Sequence, residues 1–252
     1  MKINIKQVLS ESVSFYKENF KNIIGISFIM FVFMAIMQAV GYTQIMITEH
    51  PSWLWSYIIA IYAILILAII VMPKLYLAMP ILINSLLGES KLTTKQAYRL
   101  TKGKYWLMVG CSLLVGLFYV PPVMVTLYAE IPFATVIRQI YVAFIAVLFY
   151  TLFPMIAIEP RTDRYLRRSI KLVKGNYIEV LILNFVTVTL LTVINGALTY
   201  ILQGKTTALL IVDVAYAIVY FFVYPLASTV NVIVYRKLNE SKEPIETIGE
   251  AS

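Results

Sequence analysis

The 252-residue chain has one cysteine and one histidine. A single thiol, Cys111, excludes an intrachain disulfide framework, and with His50 as the sole imidazole a His/Cys metal site has no ligands to draw on. Most hydrolytic constellations fall with it. The sequence also lacks a phosphate loop, a nucleotide fingerprint, a zinc motif and a Ser/His/Asp set. Charge is scarce: 13% of residues carry one, against about 25% in an average soluble domain. Acidic residues are the rarer sign, 13 against 21 basic, for a net charge of +8. What is abundant is apolar, at 60% hydrophobic residues and a mean hydropathy of +0.82. These figures exclude a secreted disulfide scaffold, a disordered chain and an ordinary cytosolic enzyme. They make lipid the solvent.

Hydropathy divides the chain into six apolar stretches, at roughly 22–42, 54–83, 106–127, 134–158, 178–202 and 207–235. Each has the ~20 residues needed to cross ~30 Å of hydrocarbon. The second is too long for a straight crossing, and Pro73 and Pro80 predict a kink in it. The first follows about 20 residues that include Glu11, Lys17, Glu18 and Lys21, unlike the n-region of a signal peptide, so it is expected in the mature protein.

Basic residues set the orientation. The start of the chain, segments 84–105 and 159–177, and the C-terminal tail together carry 18 of the 21. Only Arg138 and Lys205 fall on the other side, and Lys74 lies within the second stretch. The asymmetry predicts both termini in the cytoplasm. Basic residues dispersed over four membrane-flanking segments do not make a folded nucleic-acid-binding domain, so nucleic acid is excluded as a partner and anionic membrane lipid is expected.

A segment of helical period precedes each odd-numbered stretch. In the third, Leu166, Ile170, Val173 and Tyr177 form an apolar arc opposite Arg164, Arg167, Arg168, Lys171 and Lys174. Without gaps, Ser12-x4-Lys17-Glu18-Asn19-Phe20 aligns with Ala97-x4-Lys102-Gly103-Lys104-Tyr105 and with Ser169-x4-Lys174-Gly175-Asn176-Tyr177. The even stretches end alike, at Met79-Pro80, Phe153-Pro154 and Tyr224-Pro225. The expected architecture is an all-α integral membrane protein with six transmembrane helices in three hairpins. Each hairpin is preceded by an amphipathic interfacial helix, in repeats of about 5–87, 92–158 and 164–238. Residues 1–238 form one polytopic domain and 239–252 a short polar cytoplasmic tail. Gly103 and Gly175 are expected to turn the chain from the interface into the bilayer. Lys17, Lys102, Arg167, Arg168, Lys171 and Lys174 are the expected contacts with anionic lipid.

The run Leu152-Phe153-Pro154-Met155-Ile156-Ala157-Ile158-Glu159, followed by Tyr165-Leu166-Arg167-Arg168-Ser169-Ile170-Lys171-Leu172-Val173-Lys174-Gly175-Asn176-Tyr177, carries a resemblance. It is similar to a signature of the bacterial membrane-protein family related to the membrane domain of glycerophosphoryl diester phosphodiesterase. The resemblance implies a six-span layout. It does not carry over the phosphodiesterase activity, because the chain has no soluble phosphodiesterase domain.

Ionisable groups within the spans are the default functional candidates. Lys74 is expected to snorkel from the second span, or else to contact a ligand. Asp213 in the last span is expected to meet water or pair with Lys205 or Arg138, with a cationic ligand or coupling ion as the alternative. Glu159 is expected to pair with Arg161, Arg164 or a basic residue of another repeat. Gln38, Asn184, Asn195 and Asn231 are expected to hydrogen-bond between helices, and Tyr216, Tyr220 and Tyr224 to form a packing stripe. No catalytic, cofactor or metal residues are assigned. The sequence therefore points to a non-enzymatic protein of the bacterial cell membrane acting by contact. Its role would be that of an accessory subunit of a membrane protein such as a transporter, an envelope-stress factor or a protector against membrane-active peptides. The alternative is a small transporter for a lipid-like or amphipathic solute.

Overall fold

The computed structural model describes residues 2–49, 54–88, 90–128, 134–160, 164–187 and 206–242. Every regular element among them is helical: α1 (Ile5–Glu49), α2 (Leu54–Leu87), α3 (Thr94–Leu100), a 3-10 turn (Lys102–Lys104) and α4 (Tyr105–Tyr128). These are followed by α5 (Ala134–Leu148), α6 (Leu152–Ile158), α7 (Tyr165–Val173), α8 (Tyr177–Thr187) and α9 (Thr206–Lys242). Within the described residues four helical stretches are long and apolar enough to cross a membrane: Leu54–Leu87, Thr94–Pro121, Ile140–Ile158 and Ala217–Ser241. This is the composition of a multi-pass membrane protein. The fifth apolar stretch is described only to Thr187.

The three aligned amphipathic segments do not behave alike. A separate helix was expected before the first apolar run, but α1 continues unbroken through 45 residues. Glu18 stands there where the other two segments have glycine, and glutamate favours helix where glycine costs ~1 kcal/mol. In the third segment Gly175 takes φ +90°, and the chain turns between α7 and α8. In the second, Thr93 and Gln96 close a capping box at the start of α3, and the 3-10 turn through Gly103 leads into α4.

Three helices are longer than a bilayer needs. At a rise of about 1.5 Å per residue, α1, α2 and α9 span about 67, 51 and 55 Å against ~30 Å of hydrocarbon. Burial divides α2 sharply. No described side chain among residues 54–70 of α2 is buried, whereas Leu75, Leu77, Ala78, Met79, Leu82 and Ile83 are fully enclosed. Among the described residues the core thus gathers toward one end of the bundle, where α1 begins, α2 and α9 finish, and α3, α6 and α7 lie. This end also carries most of the basic residues. There α2, α6 and α9 pack against one another, with α1 along α9 and α2. Tyr76, Phe153 and Tyr224, one from each central helix, meet with ring centroids 6.5 Å (Tyr76–Phe153) and 5.8 Å (Tyr76–Tyr224) apart, and Tyr220 stacks on Tyr224 at 5.3 Å. Two members of the expected tyrosine stripe therefore pack between helices. The Tyr216 side chain lies outside the described residues. The α5–α6 stretch breaks in a turn at 149–151, which leaves Pro154 in the first turn of α6, where its missing N–H costs no helical bond.

Candidate functional site

Pro160 decides the local geometry around Glu159. The residue before a proline is driven out of the helical region, and Glu159 caps α6 in extended backbone, φ −75° and ψ 153°. The last carbonyls of α6 then lack helical donors. Lys104, from the 3-10 turn before α4, supplies them: its Nζ donates to the Ala157 carbonyl at 2.7 Å and the Glu159 carbonyl at 2.6 Å. A cation at a helix C-terminus also complements the helix dipole.

The Glu159 side chain points into the protein and is buried. Its Oε2 accepts from Arg168 Nη1 of α7 at 2.6 Å, and its Oε1 accepts from the Tyr235 hydroxyl of α9 at 2.5 Å. Arg168 Nη2 donates to Asn239 Oδ1 at 3.1 Å. The next residue of α7, Ser169, lies 3.0 Å from the Thr151 hydroxyl and donates to the Leu148 carbonyl at the end of α5. Tyr165, at the start of α7, donates to the Pro160 carbonyl at 3.0 Å. Five helices are joined through one buried carboxylate and its neighbours. Charge-assisted bonds of this length are the strong class, and the arrangement is suited to holding α7 in place.

The expected lipid contacts divide accordingly. Lys17, Lys102, Arg167, Lys171 and Lys174 lie on the outside. Arg168, expected on lipid, turns inward to pair with Glu159. The apolar face of α7 also rests on protein: Tyr165, Leu172 and Val173 are buried, and Leu166 and Ile170 pack against the core. α5, α6 and α9 pack around α7 and supply that protein surface.

Lys74 is half-buried. Its Nζ sits 5.8 Å from the Tyr98 ring centroid and 5.6 Å from that of Tyr105. Asp213 falls in α9, but its side chain lies outside the described residues, as do those of His50, Gln38, Asn195, Lys205 and Arg161.

No family model, curated protein or solved structure matches the chain.

The residues that complete the Glu159 centre were hidden in the sequence. Lys104 counted there only as a flanking charge, and Asn239 fell within the expected tail. In the structure α9 runs on to Lys242. One signal was available: a proline after Glu159 leaves carbonyls that need a donor, and lysine or arginine supplies one best.

Proposed function

We propose that the chain is a bacterial inner-membrane protein that crosses the bilayer six times as three hairpins, with both termini inside, and acts by contact rather than catalysis. It serves as an accessory subunit to another membrane protein, in envelope stress, or in protection against a membrane-active peptide. The observation that carries this reading is the Glu159 centre. Both oxygens of the buried carboxylate are taken by Tyr235 and Arg168, which makes it a strut between helices rather than a proton donor or acceptor.

Burial supports the threefold reading. The aligned small residues Ser12, Ala97 and Ser169 are each 0% exposed. At the same offsets, Ile23, Met108 and Val180 are buried, as are Ile26, Cys111 and Leu183. Pro80, Pro154 and Pro225 are buried as well. On this reading the packed end stands on the cytoplasmic side, a rigid base of helix ends. Lys17, Lys102, Arg167, Lys171 and Lys174 face anionic head groups around it. The resemblance to the family related to the phosphodiesterase membrane domain is compatible with this layout and adds no activity.

Cross-linking in native membranes followed by mild-detergent purification tests the reading. A defined partner is expected, and a clean monomer across several detergents would count against it. A second reading, a transporter for a lipid-like or amphipathic solute, is favoured by Pro73, Pro80 and Pro225 inside helices and by Lys74 beside the first of them. Its test is uptake into proteoliposomes that is lost in Lys74→Ala or Asp213→Asn.

A further inference from the structure

Lys74 has no ion-pair partner among the described residues. It is a half-buried cation held by two rings, one from α3 and one from α4. The Tyr105 ring is fixed, and the helix that carries Tyr98 is anchored. The Tyr105 hydroxyl donates at 2.8 Å to the Ile69 carbonyl, which Pro73 leaves without its helical N–H. The start of α3 is pinned to α1: Thr94 donates to the Asn22 carbonyl at 3.3 Å, beside Gly25, where a Cβ would meet Thr94 Oγ1 at 3.3 Å. Ring faces attract an ammonium but bring no negative charge to it.

The surroundings specify what would. Trp106, its ring 5.0 Å from that of Tyr105, is 77% exposed, a placement typical of an indole at a membrane–water interface. From Lys74 one face of α2 runs through Ile70, Ile66, Tyr62 and Ile59 to Trp55, at the spacing of successive helical turns, and all five are exposed. The distance from Trp55 to Lys74 along the helix is about 28 Å, close to the hydrocarbon thickness of a bilayer. A cation and an indole at one end of an uncovered apolar stripe match a molecule with an anionic head and a hydrocarbon tail.

We infer that Lys74, Tyr98, Tyr105 and Trp106 form a binding site for an anionic phospholipid. Its phosphate sits on the Lys74 amine and an acyl chain lies along Ile70 and Ile66. A net negative head group is preferred because the amine has no carboxylate beside it, while a choline would bring a second cation. The inference rests on the proposed placement of the basic end at the inner leaflet.

The test uses the full chain in nanodiscs of phosphatidylcholine and phosphatidylglycerol, with retained lipid read by native mass spectrometry. Wild type is expected to retain phosphatidylglycerol selectively. Lys74→Gln should lower that fraction about fivefold, the factor that corresponds to ~1 kcal/mol per basic residue near an anionic surface, while Lys74→Arg retains it. Trp106→Ala, at an exposed position that folding tolerates, should also lower retention and serves if Lys74→Gln does not fold. Equal retention of the two lipids, or retention unchanged in both Lys74→Gln and Trp106→Ala, overturns the site. Lys74-dependent binding of inorganic phosphate without retained phosphatidylglycerol overturns it too, since the ligand is then a soluble anion. Labelling of Lys102→Cys from outside whole cells would instead overturn the proposed orientation, leaving lipid retention as a separate result.

Discussion

Tyr235 and Glu159, 76 residues apart in sequence, meet in a hydrogen bond of 2.5 Å that joins the last long helix to the end of α6. The other carboxylate oxygen holds Arg168, so α6, α7 and α9 share one buried anion. Lys104 binds the backbone of the same turn and adds the start of α4.

Removing the anion while leaving its partners should therefore be expensive. Glu159→Ala is expected to destabilise the protein by about 3 kcal/mol, within the range for breaking a buried ion pair. Tyr235→Phe, which takes away one neutral donor to the carboxylate, should cost roughly 1.5–3 kcal/mol. Denaturant unfolding in detergent measures both. Because the two residues share a bond, the double variant should cost less than the two single changes together. Additive losses would show that the bond does not couple the helices.

The two glycines of the aligned segments make opposite predictions. Gly175→Ala puts a side chain at φ +90°, where an L-residue costs roughly 1–2 kcal/mol, although no atom lies within 4 Å of its Cβ. Gly103→Ala also meets nothing within 4 Å and carries no left-handed strain, so its stability should change by less than about 0.5 kcal/mol. Melting temperatures of the pair check this directly. A neutral Gly175→Ala would mean that the turn between α7 and α8 relaxes freely.

Ala97 is the one fully buried residue of α3 and belongs to the core shared with α2. Ala97→Leu adds volume where none is free and should destabilise by ~1–3 kcal/mol. Lys95→Leu, exposed on the same short helix, is the control and should stay within about 0.5 kcal/mol. The comparison is a thermal melt of each variant in one detergent.

The basic residues of α7 should separate into two classes. Arg167→Gln, Lys171→Gln and Lys174→Gln together are expected to weaken binding to phosphatidylglycerol vesicles, at ~1 kcal/mol for each residue near the surface. Their effect on the unfolding midpoint should be small. Arg168→Gln should do the reverse, lowering stability because Glu159 is left buried without its cation. Vesicle flotation and unfolding curves on the same samples distinguish the two. A lipid-binding loss from Arg168→Gln at unchanged stability would return that residue to the lipid face.

Amphipathic period alone could not assign the apolar face of α7. Leu166, Ile170 and Val173 recur as they would on lipid or on protein, and a periodic pattern states that a face is buried without stating against what. Glu159 was legible as an ionisable group at a span end with a basic partner to find. The partner lay one residue from the exposed Arg167, and a step of one residue on a helix turns the side chain by about 100°. Lys74 beside Pro73 was legible as an anomaly, while the rings that hold it come from segments 24 and 31 residues further along.

By itself the amino-acid order determined that lipid is the solvent, that the regular structure is helical, where glycine permits a turn, and which end of the bundle is basic. These follow from composition, local period and backbone sterics, which act over a few neighbouring residues. Only the tertiary structure decided that, among the described residues, the core gathers toward the basic end. It also decided that Glu159, Arg168, Tyr235, Asn239 and Lys104 converge. Convergence depends on how long helices lie against each other, and a displacement of one turn, ~5.4 Å, brings a different set of side chains together.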